Sequence, residues 1–351
     1  MTYDATLVRS GIDRQKAIEA VRSLHTYDFR IVSLDFAASW SLAVGGILGA
    51  AFFSWWIAAT AAFVVAVLAT YRAVMFSHEI VHMGSRCPPS FWWIWNVFAG
   101  APSMMASFII ESHLEHHAVD KFGTQNDPEY SPFGRSKPML FLKYLASSPF
   151  VVVALFFRHL VLVPLSWLSG AVRRWVDQHA SAGAIHSSYV RVDAPLIGRN
   201  RVIETLCFLW CVGVVAAAWT GVAPWQLVGV YFATLVAAFT LNSIRTVVSH
   251  RFATAGPVTW EEQVLDSVNL DGPSPWNELL APVGMRFHAT HHMFPKIPYH
   301  NLGRAHQRLW DALGPDSPYR SLSFSGLPPA LRDLWRRSTH GEGDRRSAQH
   351  N

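Results

Sequence analysis

Between Arg30 and Arg72, and again between Arg201 and Arg245, the chain carries no lysine or arginine. Each gap holds about 40 mostly apolar residues, and a helix needs roughly 20 to cross the hydrocarbon core of a bilayer. Backbone polar groups inside lipid must be satisfied within their own segment, so each stretch predicts two membrane-crossing helices joined by a short turn. The first turn is expected near Ser54, Trp55 and Trp56, whose indoles suit a membrane interface, and the second around Thr220, Gly221 and Pro224. Neither turn has a basic residue, whereas the N-terminal segment, the middle of the chain and the C-terminal third hold all 29. By the positive-inside bias both termini and the middle region are expected on the cytoplasmic side of the inner membrane. The fold class that follows is all-α and integral to the membrane: four transmembrane helices in two hairpins, interfacial helices, and a cytoplasmic histidine-rich cap.

A content of 51% hydrophobic and 15% charged residues is poor material for water-soluble surfaces, which agrees with that reading. The net charge of +5 comes without a basic motif of the nucleic-acid-binding kind, so no nucleic acid partner is expected. Three cysteines, Cys87, Cys207 and Cys211, do not make a disulfide framework. Residues 1–30 mix polar groups with Asp4, Asp13, Glu19 and Asp28 and lack the apolar stretch of a signal peptide. Residues 91–110 and 139–168 are apolar but interrupted by Gly100, Pro102, Pro149 and Pro164, and are expected to be interfacial or re-entrant. The basic stretch 171–201, with Arg173, Arg174, Arg191, Arg199 and Arg201, is expected to meet anionic headgroups. The organisation expected is a cytoplasmic segment over 1–33, a membrane domain over 34–336 and a disordered tail over 337–351.

Seventeen histidines then have to be explained, and their spacing is informative. His78 and His82 form HEIVH at the end of the second span; His113, His116 and His117 form HLEHH; His288, His291 and His292 form HATHH; His250 follows the fourth span. An i, i+3, i+4 arrangement brings three imidazoles within reach of a shared centre. All nine residues fall at cytoplasmic span ends or in cytoplasmic segments, so they can converge on metal. Imidazole suits several transition metals, but nine ligands exceed one tetrahedral zinc and suffice for two ions with open positions. An apolar setting offers unactivated methylenes as substrate, and zinc lacks the redox chemistry to attack them, which points to iron with dioxygen. Glu79, Glu111, Glu115, Asp120, Asp127 and Glu129 stand near enough in sequence to orient the imidazoles. Trp92, Trp93, Trp95 and Phe108 are candidates for lining an acyl tunnel or anchoring at the interface. The remaining histidines read as surface or interfacial residues, with His300 and His306 placed to brace the last box.

These boxes, in this order and with this pair of hairpins, resemble the membrane fatty acid desaturase superfamily over roughly residues 35–310; GTQNDPEY at 123–130 and MRFHATHHMFPKIPYHNLGRAH at 285–306 resemble its bacterial members. The resemblance implies a di-iron centre, dioxygen as co-substrate and a lipid or acyl-chain substrate. It also implies a separate electron donor such as a ferredoxin with its reductase, since no HPGG string of a fused cytochrome domain is present. It further implies that a histidine upstream of the last box is a ligand, which makes His250 the candidate. Relatives carry an asparagine four residues before that histidine; here that place is Thr246, and Asn242 lies a further turn away. The family contains desaturases, hydroxylases and carotenoid-modifying oxygenases, and desaturation is the favoured expectation. Two rivals make less of the sequence. HEIVH fits an intramembrane zinc protease with NLDG at 269–272, but leaves both HxxHH triplets unexplained. A metal transporter would place its polar groups within the spans, and here the histidines stand at their ends.

Overall fold

The computed structural model describes residues 11–186, 188–192, 196 and 198–340. In chain order the helices that matter below are α1 (Arg14–Val21), α2 (Phe29–Phe52), α3 (Trp56–Met83), α4 (Pro89–Trp95), α5 (His113–His116), α6 (Phe150–Leu168), α7 (Gly170–His179), α8 (Arg199–Trp219), α9 (Trp225–Thr246), α10 (Trp260–Asp266), α11 (His288–Met293), α12 (Tyr299–Leu313) and α13 (Leu327–His340). A two-residue parallel pair, β1 (Asn269–Leu270) with β2 (Ser323–Phe324), is the only paired strand among the described residues. The chain is a multi-pass membrane protein, and both expected hairpins are present with their turns at residues 53–55 and 220–224.

The chain divides into two compact units. The second, Phe29–Glu115 with Lys143–Ser243, contains α2, α3, α4, α6, α7, α8 and most of α9. α2 and α3 pack closely because Gly46 has no side chain: a Cβ there would lie 2.7 Å from the Ala66 backbone nitrogen. The same hairpin is pinned by a bidentate pair, Arg72 Nε and Nη2 donating to Asp35 at 2.9 and 2.6 Å. Large side chains such as Leu34, Trp56 and Trp219 stay more than two-thirds exposed, as a lipid-facing surface requires.

Five helices are long and apolar enough to cross a membrane: α2, α3 with its continuation to Arg86, α6, α8 and α9. α6 is the addition to the four expected from sequence. The prolines that suggested a broken element are absorbed, Pro149 preceding the helix and Pro164 following a wider π-type turn at Arg158–Leu162. Such a turn frees the backbone position that proline cannot fill with an N–H. Residues 89–116 form a pair of segments, Pro89–Ser103 and Ser107–His116, bent by 85° at Met104, which has a left-handed φ of 59°.

The basic stretch 171–201 departs from its expected headgroup role at two positions. Arg173 and Arg191 are buried, because carboxylates meet them: Arg173 Nη1 donates to Glu204 at 2.6 Å and Arg191 Nη2 to Glu111 at 3.0 Å. Glu204 also accepts from Arg158 Nη2 at 2.7 Å, so a carboxylate on α8 serves guanidiniums on α6 and α7.

The first unit comprises the described residues of Met1–Asp28, His116–Leu142 and Ile244–Asn351. Its apolar core joins Val21 and Leu24 near the N-terminus, Ala289 and Met293 of α11, Leu309 of α12, and Tyr319. α1 begins where the Asp13 side chain accepts from Lys16 N at 3.0 Å, and α10 begins with a reciprocal Thr259–Glu262 capping box. The segment expected to be a tail continues as helix α13 to His340, and residues 341–351 lie outside the described residues.

Candidate metal centre

In the first unit four imidazoles from three distant segments face one another. His116 lies at the end of α5, His250 just beyond α9, and His288 and His292 one turn apart on α11. All four are buried. Their Nε2 atoms are 3.0 Å apart for His116 and His250, 2.9 Å for His250 and His288, and 3.1 Å for His288 and His292. The four donor atoms lie within 4.8 Å of one another. Beside them His117 Nε2 is 3.1 Å from His291 Nε2, and the His117 ring stacks on His292 at 4.2 Å.

Two of the histidine segments are fixed from behind. Asp127 meets His116 Nδ1 at 2.9 Å and is itself oriented by the N–H groups of Gly123 at 3.0 Å and Glu129 at 2.9 Å. α11 is held at its start by Asn269, whose Oδ1 accepts from Ala289 N at 3.0 Å and Thr290 N at 3.2 Å. Tyr319 joins this brace, its hydroxyl 2.6 Å from Thr290 Oγ1 and 2.8 Å from His306 Nδ1, while Asp271 stands 3.4 Å from the other nitrogen of His306. NLDG at 269–272 thus braces the third box, which agrees with the bracing role expected of His306.

These residues fit a metal. With its Nδ1 proton given to Asp127, His116 presents a bare Nε2 lone pair, which faces the Nε2 atoms of its neighbours. Lone pairs meeting at 2.9–3.1 Å repel unless a proton or cation stands among them. Donors about 2.1 Å from an ion are separated by about 3.0 Å at right angles and about 3.4 Å in a tetrahedron. The spacing found is short enough for these donors to hold one ion together. Burial above all lowers His250 to about 4, against a smaller opposing effect of Asp266. Burial and neighbouring imidazoles hold His288 and His292 well below the usual histidine range. Burial also opposes the imidazolium of His116, but the charge and hydrogen bond of Asp127, helped by Glu129 and Asp266, outweigh it and raise its pKa. Three of the four are therefore held as neutral imidazoles, the form able to bind a metal.

In the second unit His78 and His82, one turn apart on α3, meet His113 with ring centroids 4.6, 4.7 and 5.1 Å apart. Glu79 is buried, 3.9 Å from His78 Nδ1. Glu115 accepts from the Tyr189 hydroxyl at 3.1 Å, and Glu111 accepts from Arg191 and from Asn200 Nδ2, each at 3.0 Å. Arg191 also donates to the Phe108 carbonyl at 2.9 Å, and Gly183 N to the Ile109 carbonyl at 2.7 Å. The segment leading into the second box is therefore clamped by Gly183, Tyr189, Arg191 and Asn200. Asn242 is half-buried on α9, two turns before His250.

The same unit has a partly open apolar cleft of about 840 Å³, walled by residues including Trp40, Val44, Val74, Phe98, Trp210 and Tyr231. The aromatic residues singled out from sequence do other things here. Trp95 is fully buried with its Nε1 donating to the Ala73 carbonyl at 2.8 Å, Trp92 lies under the Arg199 guanidinium at 4.3 Å, and Phe108 lies under Arg158 at 5.2 Å. Trp93, on the outer face of α4, is 37% exposed.

Sequence reasoning missed Asp266, 3.6 Å from His250 Nδ1, and Gln263, whose Nε2 donates to the His116 carbonyl at 3.1 Å. No spacing rule connects them to the boxes, because a bridge pairing His250 with Ser267 makes the approach.

Residues 53–323 match the model of the fatty acid desaturase family. A protein of Caulobacter vibrioides described as a ceramide hydroxylase is 38% identical over 329 residues, covering 92% of this chain and 93% of the relative. No solved structure matches the chain. With its apolar helices, its histidine clusters able to hold metal, and a family match spanning most of its length, the chain belongs to the fatty acid desaturase family of membrane oxidoreductases.

Proposed function

We propose that this protein is a dioxygen-dependent di-iron oxidase of the membrane that hydroxylates a hydrocarbon chain of a ceramide-like lipid. The nine histidines His78, His82, His113, His116, His117, His250, His288, His291 and His292 supply the ligands, with His116, His250, His288 and His292 serving one ion. When bound, two iron ions supply the redox chemistry by which dioxygen attacks an unactivated C–H bond. Electrons come from a separate donor of the ferredoxin type. The family match alone fits desaturation equally, and the two outcomes differ in how the chain lies against the oxidant. Hydroxylation is preferred on one observation, the 38% identity to a ceramide hydroxylase across nine-tenths of both chains.

The protein's own part is to bind, orient and keep water away. The cleft supports an acyl-chain guest, since its wall is almost wholly apolar and its volume lies in the range of ligand sites. Val74 in that wall precedes His78 by one helical turn, about 6 Å along α3, so a chain in the cleft has the first box near one end. Trp40 Nε1 donates to the Phe98 carbonyl at 3.0 Å and Trp210 Nε1 to the Tyr231 hydroxyl at 2.9 Å, which turns both indoles' polar atoms toward protein. Mass spectrometry of lipids from cells with and without the expressed protein tests the reading. A ceramide-like species that gains one oxygen supports hydroxylation; loss of two hydrogens without oxygen favours desaturation; an unchanged lipid profile contradicts both.

Four crossings, rather than five, fit the chemistry. Three candidate spans, α6, α8 and α9, separate His116 from His250. Three crossings would leave those residues on opposite membrane faces, yet their Nε2 atoms are 3.0 Å apart. An even number must cross, and α6 is the segment with a buried arginine, Arg158, near its middle. Its partners agree: Ser148 meets Thr240, Phe156 meets Phe232, and Trp167 meets Phe208. The two ends of α6 thus meet Thr240, in the half of α9 away from the turn, and Phe208, midway along α8, while its middle reaches Phe232 nearer the turn, as a helix that enters and returns would. α6 is thus an interfacial or re-entrant helix, and the boxes share the cytoplasmic face of the inner membrane. Single cysteines replacing Ser188 and Ser321 are expected to react with an impermeant maleimide from one face, and one replacing Val222 from the other. The three native cysteines are buried and leave the background low. Gln125→Cys, exposed on the other side of α6 in the chain, is expected to label from the same face as Ser188→Cys, and labelling of these two from opposite faces would establish that α6 crosses.

A further inference from the structure

We propose that α10 is the positioning element of the four-histidine cluster, with Asp266 as the residue that holds His250 in place. The proposal rests on the metal-binding reading given above and goes beyond it by assigning the element that holds His250. Gln263 and Asp266, three apart, lie on one face of α10 and reach the two segments that enter the cluster from different parts of the chain. Gln263 Nε2 fixes the His116 carbonyl at 3.1 Å, and His250 Nδ1 meets the Ser267 hydroxyl at 3.4 Å with Asp266 Oδ2 behind it at 3.6 Å, a charge contact longer than a hydrogen bond. Asp266 is 3% exposed and His250 4%, so their interaction is little screened.

Three further contacts aim the carboxylate. Asp266 Oδ1 accepts from Ala253 N at 2.8 Å, which leaves Oδ2 for the imidazole. The Asp266 carbonyl accepts from Arg251 N at 2.6 Å, and Val268 N donates to the Ser249 carbonyl at 2.8 Å, so the backbones on either side of His250 and Asp266 are paired. Tyr130 closes the other flank. Its hydroxyl accepts from both Thr254 N and Thr254 Oγ1 at 2.9 Å, which leaves its own proton to donate. Burial first, and the Asp266 charge second, keep that phenol protonated by raising its pKa.

The consequence concerns ligand orientation and site charge. A carboxylate at Nδ1 selects the tautomer with the proton on that nitrogen and turns the Nε2 lone pair to the cluster. Asp127 does this for His116 at 2.9 Å, so Asp127 and Asp266 are two buried carboxylates behind two neighbouring ligands. Their combined charge matches a divalent cation among otherwise neutral imidazoles. The Nδ1 atoms of His288 and His292 have no hydrogen-bond partner among the described residues.

The test uses the full chain purified in detergent, stripped of metal and titrated with ferrous ion under anaerobic conditions, with metal per chain measured by elemental analysis. Outer partners of this kind are worth about 10–100-fold in metal affinity, and Asp266→Asn is expected to weaken one of the two iron sites by that order. Asp266→Glu, which keeps the charge, is expected to recover much of it. Thermal unfolding of the stripped proteins separates positioning from folding: Asp266→Asn should unfold near the wild-type temperature without metal and lose the increment that metal adds. Equal iron affinity in Asp266→Asn and wild type overturns the proposal, and so does a stripped variant destabilised as much as the loaded one. A wild-type chain that binds no iron overturns the reading beneath it as well.

Discussion

Replacing His292 by Ala is expected to abolish lipid oxidation while leaving the protein in the membrane. His292 Nε2 stands 3.1 Å from His288 Nε2, and its ring stacks against His117 and lies 4.8 Å from that of His250. Its removal deletes one of four donors and unseats two neighbours. Loss of a residue behind a ligand costs about 10–100-fold, so loss of the ligand itself should exceed the upper end of that range. Turnover of the lipid and iron per chain, measured on the same preparation, should fall together. Retained oxidation in both His292→Ala and His117→Ala would argue against a metal site shared by the second and third boxes. Membrane insertion should persist, because the apolar spans that drive it are untouched.

Replacing Glu204 by Leu is expected to be the most destabilising single change in the helical unit. Its carboxylate accepts from Arg158 at 2.7 Å and Arg173 at 2.6 Å and is 1% exposed. Asp177, the other acid in the group, also meets Arg173. Without Glu204 the acid that remains meets Arg173, Arg158 loses its carboxylate, and breaking a buried pair costs about 3–5 kcal/mol. The thermal unfolding midpoint in detergent should drop by many degrees, with Glu204→Gln intermediate because it keeps hydrogen-bond acceptance without charge. An unchanged midpoint for Glu204→Leu would mean that the guanidiniums reach water. Arg158 touches three other partners as well: the Ala180 carbonyl, Ser181 and His159. Its replacement should therefore loosen α6 against α7 in addition to α8.

What could be read from sequence follows from which constraints are local. The hairpins were legible because lipid tolerates no charge over some 20 residues, and the gaps from Arg30 to Arg72 and from Arg201 to Arg245 exceed that twice over. The boxes were legible because three imidazoles at i, i+3 and i+4 have little use on an ordinary helix. Asp127 lay close enough to the second box in sequence to be named among six carboxylates able to orient the imidazoles, and the fold pairs it with His116. Asp266 and Gln263 were not legible, since they reach His250 and His116 only after the chain folds back through the His250–Ser267 bridge. Arg173 and Arg191 looked like headgroup contacts because a basic run has no visible partner until Glu204 and Glu111 are placed beside it. α6 was read as broken from its prolines, and the π-type turn that accommodates Pro164 has no sequence signature of its own. The tryptophans of α4 illustrate the same limit: the sequence offered tunnel lining or interfacial anchoring for all three alike, and packing put Trp92 and Trp95 in the interior and Trp93 outside.

Supplying isotopically labelled dioxygen to cells that express the protein, then analysing their ceramide-like lipids by mass spectrometry, tests the central claim most directly. The account predicts a lipid carrying one labelled oxygen on a hydrocarbon chain, formed by the wild type and absent when His292 is Ala. A modified lipid whose new oxygen comes from water, or labelled product that persists in the His292→Ala variant, would contradict it.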